Sequence, residues 1–158
     1  ETGALARAVL DCAQASPARK DFARRAARRA GADFESEARA KAPRLLLDDA
    51  VGVGGALLAA GDVSGSLRVW RWAEDNLSDG PAYADRPAAP PPDDVRLDDA
   101  PLDARALRWT RRLAEALPPG EARDAVRRRA EALFLWLAAR PQRLDPAVWA
   151  DVLAAEPR

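Results

Sequence analysis

The sequence predicts an all-α protein that forms a single compact bundle of about six or seven helices over residues 1–158. Alanine, arginine and leucine, all strong helix formers, are its commonest residues, with 38, 23 and 19 copies. The β-branched residues that favour strands amount to nine valines and two threonines. Prolines and short acids separate segments in which apolar residues recur at helical spacing. A chain of this length can also bury a core without disulfides.

The first two helices are predicted on either side of a capping signal. A short helix covers residues 4–15, and Ser16 followed by Pro17 forms the preferred N-cap and first-turn pair for the next helix. That second helix spans residues 18–42. Its predicted inward stripe consists of Phe22, Ala26, Ala30, Phe34 and Ala38.

Two more helices are predicted before residue 78. Pro43 begins a helix that Gly61 ends, and three glycines in it, Gly52, Gly54 and Gly55, indicate close contact with another helix. Its inward stripe is predicted to be Leu46, Ala50, Val53, Leu57 and Ala60. A fourth helix over residues 67–77 is capped by Ser64 or Ser66, and its shared apolar face consists of Trp70, Ala73 and Leu77.

Residues 78–100 are predicted to form an extended surface loop that divides residues 1–77 from residues 101–158. The segment contains five prolines and four closely spaced aspartates, namely Pro81, Pro87, Pro90, Pro91, Pro92, Asp93, Asp94, Asp98 and Asp99. Proline removes backbone donors, and clustered acids repel one another, so we expect no regular structure from residue 81 to residue 95.

The remaining helices follow this loop. One opens at Asp99 and Pro101, ends before residues 118–120, and has the clearest apolar stripe of the chain, namely Leu102, Ala106, Trp109, Leu113 and Leu117. The next covers residues 121–139 with Val126, Ala130, Leu133 and Leu137 inward. A last short helix begins at Asp145 and Pro146 and carries Trp149, Val152 and Leu153.

The composition excludes several kinds of chemistry. The chain has no histidine, so it lacks Ser-His and Cys-His nucleophile pairs and imidazole metal ligands. Its single cysteine, Cys12, can form neither an internal disulfide nor a thiolate zinc site. No apolar run approaches the length of a membrane span. We therefore predict a non-enzymatic domain with no cofactor and no metal.

Two observations indicate that the protein is made in the secretory pathway. Glu1-Thr2-Gly3 resembles the residues that remain after a signal peptide supplied by a secretion vector is cleaved. Asn76, the only asparagine, lies in an Asn-Leu-Ser acceptor for N-glycosylation. Cys12 is evidence in the other direction because small secreted domains usually have paired cysteines. We expect an extracellular or secretory location, with the cytoplasm as the alternative.

Two surfaces are candidates for binding another protein. The first is the apolar turn over residues 133–137, with Phe134 and Trp136, joined to the helix of Trp149. The second is the basic run in the helix of residues 18–42, where two arginine pairs, Arg24-Arg25 and Arg28-Arg29, lie one turn apart. Because aromatic and leucine anchors can each contribute about 2 kcal/mol or more at an interface, whereas exposed arginines mostly tune association rate, the first surface is the expected one.

Trp72 is a further candidate because it lies off the apolar stripe of its helix. It is either a lid over a neighbouring helix or an exposed interface anchor, and the lid is the preferred interpretation.

The functional prediction is a protein-protein recognition domain that forms the extracellular part of a secreted or membrane-bound protein. The alternative is an intracellular helical adaptor or regulatory domain that binds an acidic partner or nucleic acid through the arginine-rich helix. Nucleic acid is the less favoured partner because 25 basic residues balance 25 acidic ones, so no net field attracts a polyanion.

Overall fold

A computed structural model of the chain describes residues 17–41, 43–84, 100–139, 146, 147 and 150. In these residues it contains five helices and one two-stranded hairpin. They are α1 (Pro17–Ala38), α2 (Leu47–Ala59), α3 (Val63–Leu77), β1 (Ser78–Asp79), β2 (Ala82–Tyr83), α4 (Ala100–Ala116) and α5 (Glu121–Ala138). The predicted all-α class is therefore confirmed.

The helix count differs from the prediction of six or seven, since the described part of the chain has five helices. The helix predicted over residues 4–15 lies outside the described residues, as do Trp149, Val152 and Leu153 of the last predicted helix. Most of the predicted Pro/Asp-rich loop, residues 85–99, also lies outside them.

The described residues fall into two compact units, one that ends at Leu77 and one that begins at Ser78. The first unit consists of α1, α2 and α3, and the second consists of the hairpin, α4 and α5. The sequence places a boundary at the same residues, within a single domain of residues 1–158. That single-domain organisation stays a prediction.

In the first unit, the predicted stripe of α1 is buried at Phe34, half-buried at Ala26, Ala30 and Ala38, and exposed at Phe22. The buried residues of α1 are Ala23, Ala27, Gly31 and Phe34, whereas Phe22 is 61% exposed. A Cβ atom added to Gly31 would lie 3.1 Å from Leu57 Cδ2, so this face brings α1 very close to α2. The predicted stripe is therefore wrong at Phe22, because α1 approaches α2 at Gly31, on the other side of the helix.

Carboxylates set the starts of α2 and α3. The Leu46 backbone N–H donates to Asp49 Oδ2 at 3.0 Å, so α2 begins at Leu47, later than Pro43, and Leu46 itself is exposed. The Gly65 N–H donates to Asp62 Oδ1 at 2.8 Å, which makes Asp62 the cap of α3 in place of the predicted Ser64 or Ser66.

Of the three glycines of α2, only Gly52 and Gly54 fit the predicted close helix contact, since Gly55 is half-buried and a Cβ atom added there would meet no atom within 4 Å. The Ser66 hydroxyl on α3 is buried and donates to the Gly54 carbonyl on α2 at 2.8 Å. Gly52 and Gly54 are buried as well. The predicted face of α3 is confirmed, since Trp70, Ala73 and Leu77 are all buried.

The second unit matches its predicted apolar stripes. In α4 and just after it, Ala106, Trp109, Leu113 and Leu117 are buried, and Leu102 is half-buried. In α5 the buried residues are those predicted, Val126, Ala130, Leu133 and Leu137. The two helices pack against each other.

A short hairpin occupies the start of the segment predicted to be a loop. Ser78 pairs with Tyr83 and Asp79 with Ala82, around the turn formed by Gly80 and Pro81. Gly80 has a φ of +59°, which glycine adopts without strain. The prediction of an irregular segment from residue 81 is therefore wrong at Ala82 and Tyr83, where a buried tyrosine gives the strand a core contact.

No helix in the described ranges is long and apolar enough to cross a membrane.

Candidate functional site

The exposed side of α1 combines arginines with one aromatic ring, and we call Phe22, Arg25, Arg28 and Arg29 the arginine face. All four residues are exposed. Phe22, Arg25 and Arg29 follow one another at steps of three and four, so they lie on the same side of the helix. The buried residues of α1 lie on the opposite side, and the arginine face is therefore directed away from the core of the first unit.

Within the described ranges, the arginines of this face have no counter-ion. No hydrogen bond or ion pair of the described residues involves Arg25, Arg28 or Arg29. The fourth predicted arginine, Arg24, differs because Nη1 lies 3.4 Å from Asp21 Oδ1. Both partners of that pair are exposed, so its contribution to stability is small.

Two acidic residues later in α1, Glu35 and Glu37, are directed to other groups. Glu35 accepts a hydrogen bond from Arg68 Nε at 2.7 Å, and this hydrogen bond raises the pKa of Arg68 above its ordinary value. Glu37 accepts from the Arg44 backbone N–H at 2.9 Å. Glu35 and Glu37 therefore do not neutralise the arginines in the first half of α1, whereas Asp33 is exposed and lies one turn after Arg29.

The apolar turn predicted as the main interface does not form one continuous exposed patch. Leu133 and Leu137 are buried, and Phe134 and Trp136 are half-buried. The Arg111 guanidinium lies 5.0 Å from the centre of the Phe134 ring and covers part of it. Leu135 is exposed by 61%. Trp149, which was expected to extend this surface, lies outside the described residues.

Trp72 is half-buried and contacts another helix of the first unit. Its ring meets the Phe34 ring of α1 edge to face, with centroids 5.2 Å apart and planes at 86°. Such a contact stabilises helix packing and orients the indole. This geometry is the one expected of a lid over a neighbouring helix.

Asn76 is exposed near the end of α3. Its Nδ2 donates to the Trp72 carbonyl oxygen at 2.8 Å. An asparagine Nδ2 has two hydrogens, so a sugar attached there leaves one hydrogen for this bond. Glycosylation at Asn76 is therefore compatible with the fold of this helix end.

Arg129 of α5 holds the hairpin, a role that the sequence analysis did not identify. Its Nη1 donates to the Gly80 carbonyl at 2.7 Å, and its Nη2 donates to Ser78 Oγ at 2.6 Å. The guanidinium also lies 5.1 Å from the centre of the Tyr83 ring, which is fully buried. These contacts join residues that are about fifty positions apart in sequence, which is why spacing alone gave no signal.

No protein-family model matches the chain, and no curated protein or solved structure shows significant similarity to it. Among the described residues there is also no group of three or more cysteine, aspartate or glutamate side chains that could hold a metal ion.

Proposed function

We propose that this chain is a non-enzymatic protein-recognition domain and that the arginine face of α1 is its contact surface. The observation that carries the proposal is that Arg25, Arg28 and Arg29 are exposed and form no ion pair with any residue that the structure describes. Arginine is enriched at the energetic centres of protein interfaces, where its planar fork binds carboxylates. A helix face with three such groups supports recognition of an acidic protein surface.

The arginine face is a better candidate than the turn of α5. In that turn only the Leu135 side chain is exposed, and a single exposed leucine is common on protein surfaces. The arginine face instead has several functional groups on one side of one helix. We therefore favour the arginine-rich surface of α1 over the apolar turn of α5 that the sequence analysis preferred.

The proposed location is outside the cell, in a secreted or membrane-bound protein. Support comes from Asn76, which is exposed and lies in a glycosylation acceptor sequence. The competing proposal is an intracellular adaptor that uses the same arginine face. The two differ in compartment, so glycosylation of the full chain separates them.

The contact surface can be tested by affinity capture with matched variants. The test variant carries Arg25→Ala, Arg28→Ala and Arg29→Ala, and the control carries Arg112→Ala, Arg127→Ala and Arg128→Ala on exposed positions of the second unit. Each variant loses three positive charges, so the two differ only in where the charges are removed. Quantitative mass spectrometry should find proteins whose recovery falls at least tenfold with the test variant and is unchanged with the control. Equal recovery with both variants would exclude the arginine face.

The use of Asn76 as a glycosylation acceptor, on which the proposed location depends, can be tested by expressing the chain with a signal peptide in eukaryotic cells. Glycosidase treatment should increase gel mobility, and Asn76→Gln should abolish that change because Asn76 is the only asparagine. Asn76→Gln alone should leave the circular dichroism spectrum unchanged, since the residue is exposed. An unglycosylated wild-type chain would favour the intracellular proposal.

A further inference from the structure

We infer that the arginine face binds an acidic helix of a partner protein with Phe22 as the apolar anchor, an inference that rests on the proposed function. Phe22 was expected to lie in the core, and nothing in the sequence assigned it to a surface. It is 61% exposed and lies on the same side of α1 as Arg25 and Arg29.

The groups on this side of α1 occur in a defined order. Phe22 is followed at helical spacing by Arg25, Arg29 and Asp33, all of which are exposed. At 1.5 Å per residue the four positions extend over about 16 Å. Along the helix, the stripe therefore consists of one apolar group, two basic groups and one acidic group. A second helix that packs along α1 would contact all four.

This order defines the chemistry of the partner. A leucine or aromatic side chain fits against Phe22, carboxylates fit against Arg25 and Arg29, and a basic group fits against Asp33. Such groups lie on one side of a helix when they are three or four residues apart, so the partner is an amphipathic acidic helix with one large apolar residue. Arginine-carboxylate pairs give orientation and specificity, and the apolar contact gives affinity.

A protein partner fits this stripe better than a nucleic acid does. A phosphate backbone presents negative charge along its whole length, and Asp33 would repel it at one end of the stripe. Asp21 adds a second carboxylate beside the arginines. The chain has no net positive charge to attract a polyanion from a distance.

Peptide display provides a direct test that does not depend on a known partner. A random library of 16-residue peptides is selected on the full chain, and the enriched peptides are synthesised for fluorescence anisotropy. We expect one leucine or aromatic residue with aspartate or glutamate about three and seven positions away. Phe22→Ala should weaken binding about tenfold, the loss typical of an interface anchor, and Arg25→Ala or Arg29→Ala should each weaken it several-fold.

The controls are Leu135→Ala and Arg128→Ala, which remove an exposed leucine and an exposed arginine from the second unit. Both should leave the affinity within twofold of the wild type. Enriched peptides that lack acids, or that bind the Phe22→Ala variant as well as the wild type, would overturn the inference about α1 and leave the proposed recognition function standing. A library that yields no binding peptide would count against both the inference about α1 and the proposed recognition function.

A single-stranded DNA oligonucleotide of 20 nucleotides serves as the competing probe. The inference expects no binding of this DNA at 150 mM salt, where surface charges are screened beyond about 8 Å. DNA binding that is lost with Arg25→Ala and Arg29→Ala, without enrichment of acidic peptides, would assign the arginine face to nucleic acid and overturn the protein-partner inference.

Discussion

The buried faces of α1 in the first unit and of α4 and α5 in the second consist of side chains of different size. The buried residues of α1 include Ala23, Ala27 and Gly31, and a Cβ atom added to Gly31 would lie 3.1 Å from Leu57 of α2. The buried residues of α4 and α5 include Trp109, Leu113, Leu133 and Leu137. Small residues permit close approach of backbones, whereas large residues bury more apolar area per side chain. The packing of α4 and α5 therefore depends more on individual large side chains than the packing of α1 does.

The first prediction concerns the large side chains of the second unit. Leu113 is fully buried in α4, so Leu113→Ala should lower the free energy of unfolding by about 2–5 kcal/mol through lost apolar burial and a residual cavity. Chemical denaturation followed by circular dichroism measures this change. Leu135→Ala, which removes an exposed leucine, should cost less than about 0.5 kcal/mol. If Leu113→Ala lowered the free energy of unfolding by less than about 1 kcal/mol, Leu113 would not belong to the core.

The contrast between the units also explains which parts of the fold the sequence could predict. The stripes of α4 and α5 consist of large apolar residues, so periodicity identified their buried faces correctly. In α1 the buried residues are mostly alanine and glycine, and alanine also occurs on its other sides. The apolar pattern therefore predicted that Phe22 is buried, because it is one of the few large apolar residues of the helix. The close contact between Gly31 and Leu57 instead buries the opposite face of α1.

The candidate site was predictable only in part, for a related reason. The arginines are adjacent in sequence and form a visible basic run, so their exposure on a helix could be expected. That Phe22 accompanies them depends on which face packs against α2, and this is a tertiary property. Arg129 contacts a hairpin that lies about fifty residues earlier in the chain, and no local sequence pattern predicts a contact over that distance.

The second prediction tests whether the hairpin depends on one side chain of the second unit. Arg129→Leu removes two charged hydrogen bonds and the cation-π contact with Tyr83, so we expect a loss of about 1–2 kcal/mol in the free energy of unfolding. Amide hydrogen exchange at residues 78–83 should become faster. Arg128→Leu is the matched control because Arg128 is adjacent and exposed. Equal effects of the two substitutions would contradict a specific role for Arg129.

The last prediction compares two glycines of the first unit and has the smallest expected effect. An alanine stabilises a helix by up to about 1 kcal/mol relative to glycine when its methyl group has room. A Cβ at Gly55 of α2 meets no atom within 4 Å, so Gly55→Ala should raise the free energy of unfolding by about 0.5–1 kcal/mol.

Gly31→Ala has the same intrinsic benefit, but its Cβ would lie 3.1 Å from Leu57 Cδ2 and 3.2 Å from Leu57 Cδ1. Contacts this short force Leu57 to move, and overpacking a close helix contact typically costs about 1–3 kcal/mol. We therefore expect Gly31→Ala to be neutral or destabilising while Gly55→Ala is stabilising, as measured by urea denaturation. If the two substitutions stabilised the protein equally, α1 and α2 would not be in close contact at Gly31, and the face of α1 that carries Phe22 would have to be reassigned. The comparison thus tests the helix packing on which the exposure of Phe22 depends.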